Sequence, residues 1–196
     1  MEITQGVMGA IALLSMLLLV SLYFNIRYAK RLKEYSEKEN HLIRNAYFNP
    51  ITELPNRANI ELVVNEHIAR VLRHSEAFIV TVVKLKNYYD VKLRLGDTLS
   101  QEFVLQASKR LLDSIRDEDT VGHITEDGFV IVFNEYLSED NYHIVTDRIT
   151  AAFEAKPEID TKYDINYEIG IGHTKFPDDG SDAKLLIDKA THNALK

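Results

Sequence analysis

The chain has 196 residues, enough for one domain of ordinary size plus appendages, and 45% hydrophobic with 27% charged residues is the composition of a folded chain. It has no cysteine, which excludes disulfides, thiol nucleophiles and thiolate metal or iron–sulfur sites. The formal charge of -7 is uneven: residues 27–48 carry six Lys/Arg against three Glu and residues 49–196 carry 17 against 26 Asp/Glu, so the main domain lacks the broad basic footprint of a nucleic-acid binder.

Residues 3–26, ITQGVMGAIALLSMLLLVSLYFNI, contain no charged side chain. A helix of that length, rising about 1.5 Å per residue, crosses a hydrocarbon core about 30 Å thick. Glu2 alone precedes the run, and Arg27, Lys30, Arg31 and Lys33 follow it. This asymmetry predicts a single-pass anchor over residues 1–26 with the rest of the chain in the cytoplasm. The rivals are a cleaved signal peptide, for which the basic leader and small-residue cleavage site are missing, and a buried core helix. Residues 27–48 then read as a helical linker. Tyr28, Leu32, Tyr35, Leu42 and Ala46 fall at three- and four-residue steps if Glu39 fills the gap, which fits a short parallel coiled coil or a monomeric spacer equally.

In the soluble part, Asn56 is a candidate cap for a helix with Ile60, Val63, Val64, His67, Ile68, Val71 and Leu72 on one stripe. Residues 77–85, AFIVTVVKL, are short and β-branched and read as a buried central strand. After a partly helical break, Asp97 or Thr98 caps a helix bearing Leu99, Phe103, Ala107, Leu111 and Ile115, closed by RDED at residues 116–119, where acids oppose the helix dipole. Strands at residues 121–124 and 129–133 flank Asp127-Gly128 as a hairpin turn. Ser138 caps a helix with Tyr142, Val145, Ile149, Ala152 and Phe153. Residues 163–172 alternate with Tyr163, Ile165, Tyr167, Ile169 and Ile171 on one face, and Ser181 or Asp182 starts a last helix with Leu185, Leu186, Ala190 and Ala194. The fold class is α+β: a mostly antiparallel central sheet flanked by helices, related to the split βαβ theme and preceded by one transmembrane helix.

Three stretches carry a resemblance. NPITELPNR at residues 49–57 is similar to D-x-L-T-G-L-x-N-R, with Asn49 for the Asp and Glu53 for the Gly. TEDGF at residues 125–129 stands where Gly-Gly-Asp-Glu-Phe is usual, and IGIG at residues 169–172 precedes a Pro-Asp-Gly turn and a Leu/Ala helix. In this order they resemble the GGDEF domains of diguanylate cyclases, bacterial enzymes that make cyclic di-GMP from two GTP molecules. The resemblance covers residues 49–196 and implies the nucleotidyl-cyclase-like fold.

The departures from that pattern imply an inactive member. The family's catalytic carboxylate is matched by Gly128, its first metal-binding Asp by Lys84 and the next acid by Lys86, while its base-reading Asn and Asp fall at Lys92 and Leu93. Phosphoryl transfer needs oxygen-ligated Mg²⁺, so neither a metal site nor catalytic residues are expected. Asp127 is expected either to pair with Lys84 or to sit on a solvated hairpin tip, and Lys84, Lys86, Lys92 and Arg94 are a candidate positive patch for phosphates.

One binding element of the family stays in register. Arg116 and Asp119 match its product-binding Arg-x-x-Asp five residues before the loop, and the place of a second arginine supplied by the following helix falls at or beside Asp147-Arg148, which makes Arg148 a candidate. A guanidinium suits a phosphate or guanine O6 and N7, and a carboxylate suits the guanine N1 and amino group. The ordinary alternative is a pair of solvated charges at a helix end. The expected ligand is cyclic di-GMP, with no other cofactor.

The expected function is an inactive, membrane-anchored GGDEF-like protein of the bacterial inner membrane, binding cyclic di-GMP and relaying it to an unidentified protein partner, with a homodimer as a further possibility. The alternative is a nucleotide-independent scaffold, for which Tyr88, Tyr89, Tyr136, Tyr142, Tyr163 and Tyr167 offer surface. His41, His67, His74, His123, His143, His173 and His192 have no metal-ligand spacing, and FPDDGSDA at residues 176–183 reads as a turn and helix cap.

Overall fold

The structure, a computed structural model, describes residues 2–74, 77–133, 139–159 and 162–196, and their side chains except for residues 2–15, 40–41, 74 and 139–141. It divides into two units, Met1–Arg44 and Asn45–Lys196.

The first unit belongs to one helix, α1 (Glu2–Tyr47), which runs without a break through the expected anchor and linker. Among the described residues no helix is long and apolar enough to cross a membrane. The side chains of residues 3–15, part of the expected anchor, lie outside that description. Large apolar residues in 16–26 are exposed in the single chain, as are Tyr28, Leu32, Tyr35 and Leu42 of the linker.

The second unit contains α2 (Arg57–His74), β1 (Phe78–Leu85), α3 (Tyr88–Asp113), β2 (Thr120–Thr125), β3 (Gly128–Val132), α4 (Glu139–Ala152), β4 (Ile169–Phe176) and α5 (Ala183–Asn193). The strands form one sheet in the order β2-β3-β1-β4, every pairing antiparallel. β3 therefore lies between β1 and β2, and β1 between β3 and β4, which gives two interleaved split βαβ units.

Alternation in β1 sets up three layers. Ile79, Val83 and Leu85 join Phe103, Ala107 and Leu111 of α3 and Tyr142 and Ile149 of α4 in one core. Phe78, Val80 and Val82 join Ile60, Val64 and Ile68 of α2 and Leu186, Ile187 and Ala190 of α5 in the other. Both faces of β1 are covered, as its nearly all apolar run predicted. A Cβ on Gly170 or Gly172 would strike the backbone at the C-terminal end of α5, so these glycines let that helix lie directly on β4.

Several expectations need correction. Leu72 and Leu185 point to solvent. The break before the Phe103 helix is a kink: α3 starts at Tyr88 and bends at Gly96, whose φ of 79° suits glycine. α3 ends at Asp113 with Ser114 as its C-cap, so residues 116–119 form a separate turn and their acids do not oppose the dipole. The last strand begins at Ile169, opposite Leu85, because β1 ends there and residues 163–168 have no strand to pair with. Ile165 and Tyr167 are nevertheless buried where expected, while Tyr163 is exposed. Two expected caps hold: Asn56 accepts from the Asn59 amide at 3.1 Å and Asp182 from the Leu185 amide at 2.9 Å. Ser138 and Tyr136 lie outside the described residues.

Candidate functional site

β2 joins two candidate sites, with the hairpin tip at its end and the 116–119 turn just before its start. Thr125 pairs with Gly128 across a bulge, so Glu126 and Asp127 make the turn itself and Gly128 belongs to the strand, one residue from the expected turn pair. On its other side Gly128 pairs with Lys84 at the end of β1. That register brings Lys84 Nζ to Asp127 Oδ1 at 2.5 Å, with side chains only 9% and 11% exposed. Thr125 Oγ1 donates to the same carboxylate at 2.9 Å, and the Leu85 amide donates to the Asp127 carbonyl at 2.8 Å. Of the two expected readings of Asp127, the pair with Lys84 is the one found, buried and hydrogen-bonded, and the solvated tip is not.

Beside the tip lies a cleft of about 400 Å³ whose walls include Asn56, Tyr88, Lys92, Asp97, His123 and Glu126. Its outer wall is the loop before α2. Asn49 Oδ1 accepts from the Ile51 and Thr52 amides, and Glu53 closes the turn at a φ of 59°, a left-handed value that explains why glycine is usual there. The loop is held to β2 by Thr52 Oγ1 hydrogen-bonded to His123 Nδ1 at 3.1 Å and by the His123 amide donating to Pro55 at 2.8 Å. His123 is 2% exposed and stacks on Phe129, and its Nε2 has no hydrogen-bond partner. Burial pushes its pKa down, against the opposing pull of the Glu126 and Thr125 backbone and the Asp127 charge.

The expected positive patch does not form as such. Lys84 is committed to Asp127, and Lys92 lies 3.3 Å from Glu126 and 3.7 Å from Asp97, its pKa raised chiefly by the hydrogen bond to Glu126. Lys86 and Arg94 stay exposed, and Leu93 is 86% exposed. Glu126 and Asp97 were not singled out for pairing in the sequence; Glu126 is 34 residues from Lys92, and no local pattern announces the contact.

At the other end of β2, Arg116 and Asp119 are brought together by one tight turn: the Asp119 amide donates to the Arg116 carbonyl at 3.1 Å, and Asp119 Oδ2 accepts from the Arg116 amide at 3.2 Å. The Arg116 guanidinium is exposed and 3.7 Å from Glu118. Arg148 sits exposed on α4. α4 is tied to α3 through Arg110, which donates to the carbonyls of Ala152, Ala155 and Lys156 and lies over the Tyr167 ring. No hydrogen bond or ion pair of the Arg148 side chain is found among the described residues.

Of the six tyrosines proposed as surface, Tyr88, Tyr142 and Tyr167 are buried and Tyr89 and Tyr163 are exposed. Burial pushes the Tyr142 phenol up to about 12. In FPDDGSDA, Asp179 accepts from the Lys175 amide and from Lys189, and Asp182 caps α5, as the turn-and-cap reading predicted.

Known proteins share this architecture. The chain is 21% identical over 149 residues to diguanylate cyclase TpbB of Pseudomonas aeruginosa, an alignment covering 76% of this chain and 34% of that protein, so it spans about a third of its relative's length. The fold is similar to the diguanylate cyclase SiaD from Pseudomonas aeruginosa, solved in complex with its activator SiaC, with a TM-score of 0.69 at 15% identity, covering 99% of this chain and 77% of that one. It is also similar to the GGDEF domain of DgcB from Caulobacter crescentus, solved in complex with c-di-GMP, with a TM-score of 0.68 at 11% identity over 76% of this chain and 88% of that one. Residues 46–196 match the family described as diguanylate cyclase, GGDEF domain, and with the split βαβ sheet and the hairpin tip in place the chain belongs to that family.

Proposed function

We propose that the domain is a catalytically silent GGDEF receptor: it binds cyclic di-GMP at Arg116 and Asp119, with Arg148 as second guanidinium, and passes the bound state to a protein partner at the inner membrane. The observation that carries the binding is the 116–119 turn, which presents an exposed guanidinium and a carboxylate three residues apart on a backbone fixed by its own hydrogen bonds. The c-di-GMP complex of DgcB and the activator complex of SiaD support a ligand and a partner of these kinds.

Silence rests on the donor set at the tip. A divalent cation there would have to sit beside the Lys84 ammonium and compete with it for Asp127, its neighbour at 2.5 Å, while Gly128 offers no side chain. Mg²⁺ does not fit this arrangement, and no step of the reaction is routed through it. The anchor at residues 3–26 is part of the same proposal and rests on the absence of charge from that run.

Isothermal titration of the full chain in detergent with cyclic di-GMP tests the reading. Binding in the micromolar range that R116A weakens about thirtyfold is the expected result; no heat at high-micromolar ligand, or binding unchanged in R116A, would reject it. Purified protein given GTP and Mg²⁺ is expected to yield no cyclic dinucleotide, and turnover abolished by D127A would reject the silent assignment.

A further inference from the structure

We infer that one face of α1 is a binding stripe for anionic phospholipid headgroups, a proposal that rests on the anchor reading and deepens it. Phe24, Tyr28, Arg31, Tyr35 and Lys38 follow one another at steps of four and three residues, and Arg27 lies three after Phe24 and four before Arg31, so they share one side of the helix. Two shallow hollows lie along it. One of about 220 Å³ is lined by Phe24, Arg27, Tyr28 and Arg31, and one of about 330 Å³ by Arg31, Glu34, Tyr35 and Lys38, with Arg31 common to both.

The arrangement has the chemistry of a membrane–water boundary. Exposed apolar side chains in residues 16–26 give way to aromatic and cationic ones, with Phe24 63%, Tyr28 67% and Tyr35 72% exposed. Arg27 donates to the Tyr23 hydroxyl at 2.7 Å and lies over that ring, which steadies its guanidinium where the apolar run ends. Three cations face a single acid, Glu34, along the two hollows. Arg27 and Arg31 are about 6 Å apart along the axis, roughly the depth of one headgroup layer, and each is placed to hold a phosphate. Lys38 lies about 16 Å beyond Arg27 along the same axis, past that layer. A second copy of the chain suits this face poorly, because a parallel pair would set Arg27, Arg31 and Lys38 against their own duplicates.

The test uses the full chain in nanodiscs of equal phosphatidylcholine and phosphatidylglycerol. Lipids carried through extraction are counted by native mass spectrometry, and helicity is checked by circular dichroism. The wild type is expected to retain phosphatidylglycerol about tenfold over phosphatidylcholine, and R27Q/R31Q close to the bulk ratio. Bulk ratio in the wild type, or a preference unchanged in R27Q/R31Q, overturns the inference. Alkaline carbonate separates the two failures: a chain that stays in membranes without lipid preference keeps the anchor and loses the stripe, whereas a chain that is washed off loses both. The chain has no cysteine, so Y28C gives a unique thiol. Complete oxidation of Y28C to a disulfide dimer in membranes would put a second copy on this face and overturn the proposal.

Discussion

At Thr125 the second strand runs into a tip whose charges are used up internally, whereas just before Thr120 it follows a turn whose guanidinium faces solvent. The ends are about 17 Å apart on one six-residue strand. At the tip Lys84 and Asp127 are almost fully enclosed and share Thr125 as a third member. At the turn Arg116 is exposed and lies 3.7 Å from Glu118, which is exposed as well. A buried charge pair stabilises only as a unit, while an exposed one contributes little to stability. The tip is therefore a structural part, and the turn is the recognition part in the function proposed above.

The largest effect expected from this contrast is on stability. Lys84→Ala strands a buried carboxylate and should cost about 3 kcal/mol in urea unfolding, with Asp127→Ala similar, whereas the double change Lys84→Met with Asp127→Leu should recover most of the loss. Arg116→Ala should leave the unfolding midpoint within about 0.5 kcal/mol of wild type. Next in size is the ligand: Arg116→Ala should weaken cyclic di-GMP binding by about thirtyfold and Arg148→Ala by about fivefold, the range of charge-assisted hydrogen bonds, in the titration described above. A tip variant that folds but loses binding as severely would erase the division of labour.

A third expectation concerns acid. His123 and His67 both have pKa values pushed below the usual 6.5, chiefly by burial. The unfolded chain then takes up protons that the fold excludes, so stability is complete above about pH 6.5 and declines as pH falls below it. Urea melts should show lower stability at pH 5.5 than at pH 7.5, and His123→Gln should narrow the gap. The smallest effect is at the loop: Glu53→Gly relieves the left-handed backbone and should add about 0.5 kcal/mol, seen as a higher melting temperature.

Much of the fold was legible because its signals are local. Asn56 and Asp182 announce their helices through their own side chains, and the nearly all apolar run of β1 announces burial on two faces. The start of β4 was not legible, because residues 163–168 alternate like a strand and only the end of β1 at Leu85 denies them a partner. Burial can repeat every second residue without a ladder. The Lys84–Asp127 pair was readable from the family register, but Lys92 with Glu126 and Thr52 with His123, separated by 34 and 71 residues, depend on how the sheet brings distant segments together. Arg110 escaped for the same reason: its partners are backbone carbonyls, which no sequence pattern marks.

The bond from the His123 amide to Pro55 has a consequence for solubility. β2 is the outermost strand on its side of the sheet, and an outermost strand offers free donors and acceptors to any passing chain. The loop at residues 49–55 occupies one of those positions, with the exposed carboxylate of Glu53 in the same loop, so it works as a bumper against sheet-to-sheet stacking. Loosening it, through Thr52 or His123, should leave a domain that still folds but clumps through this margin.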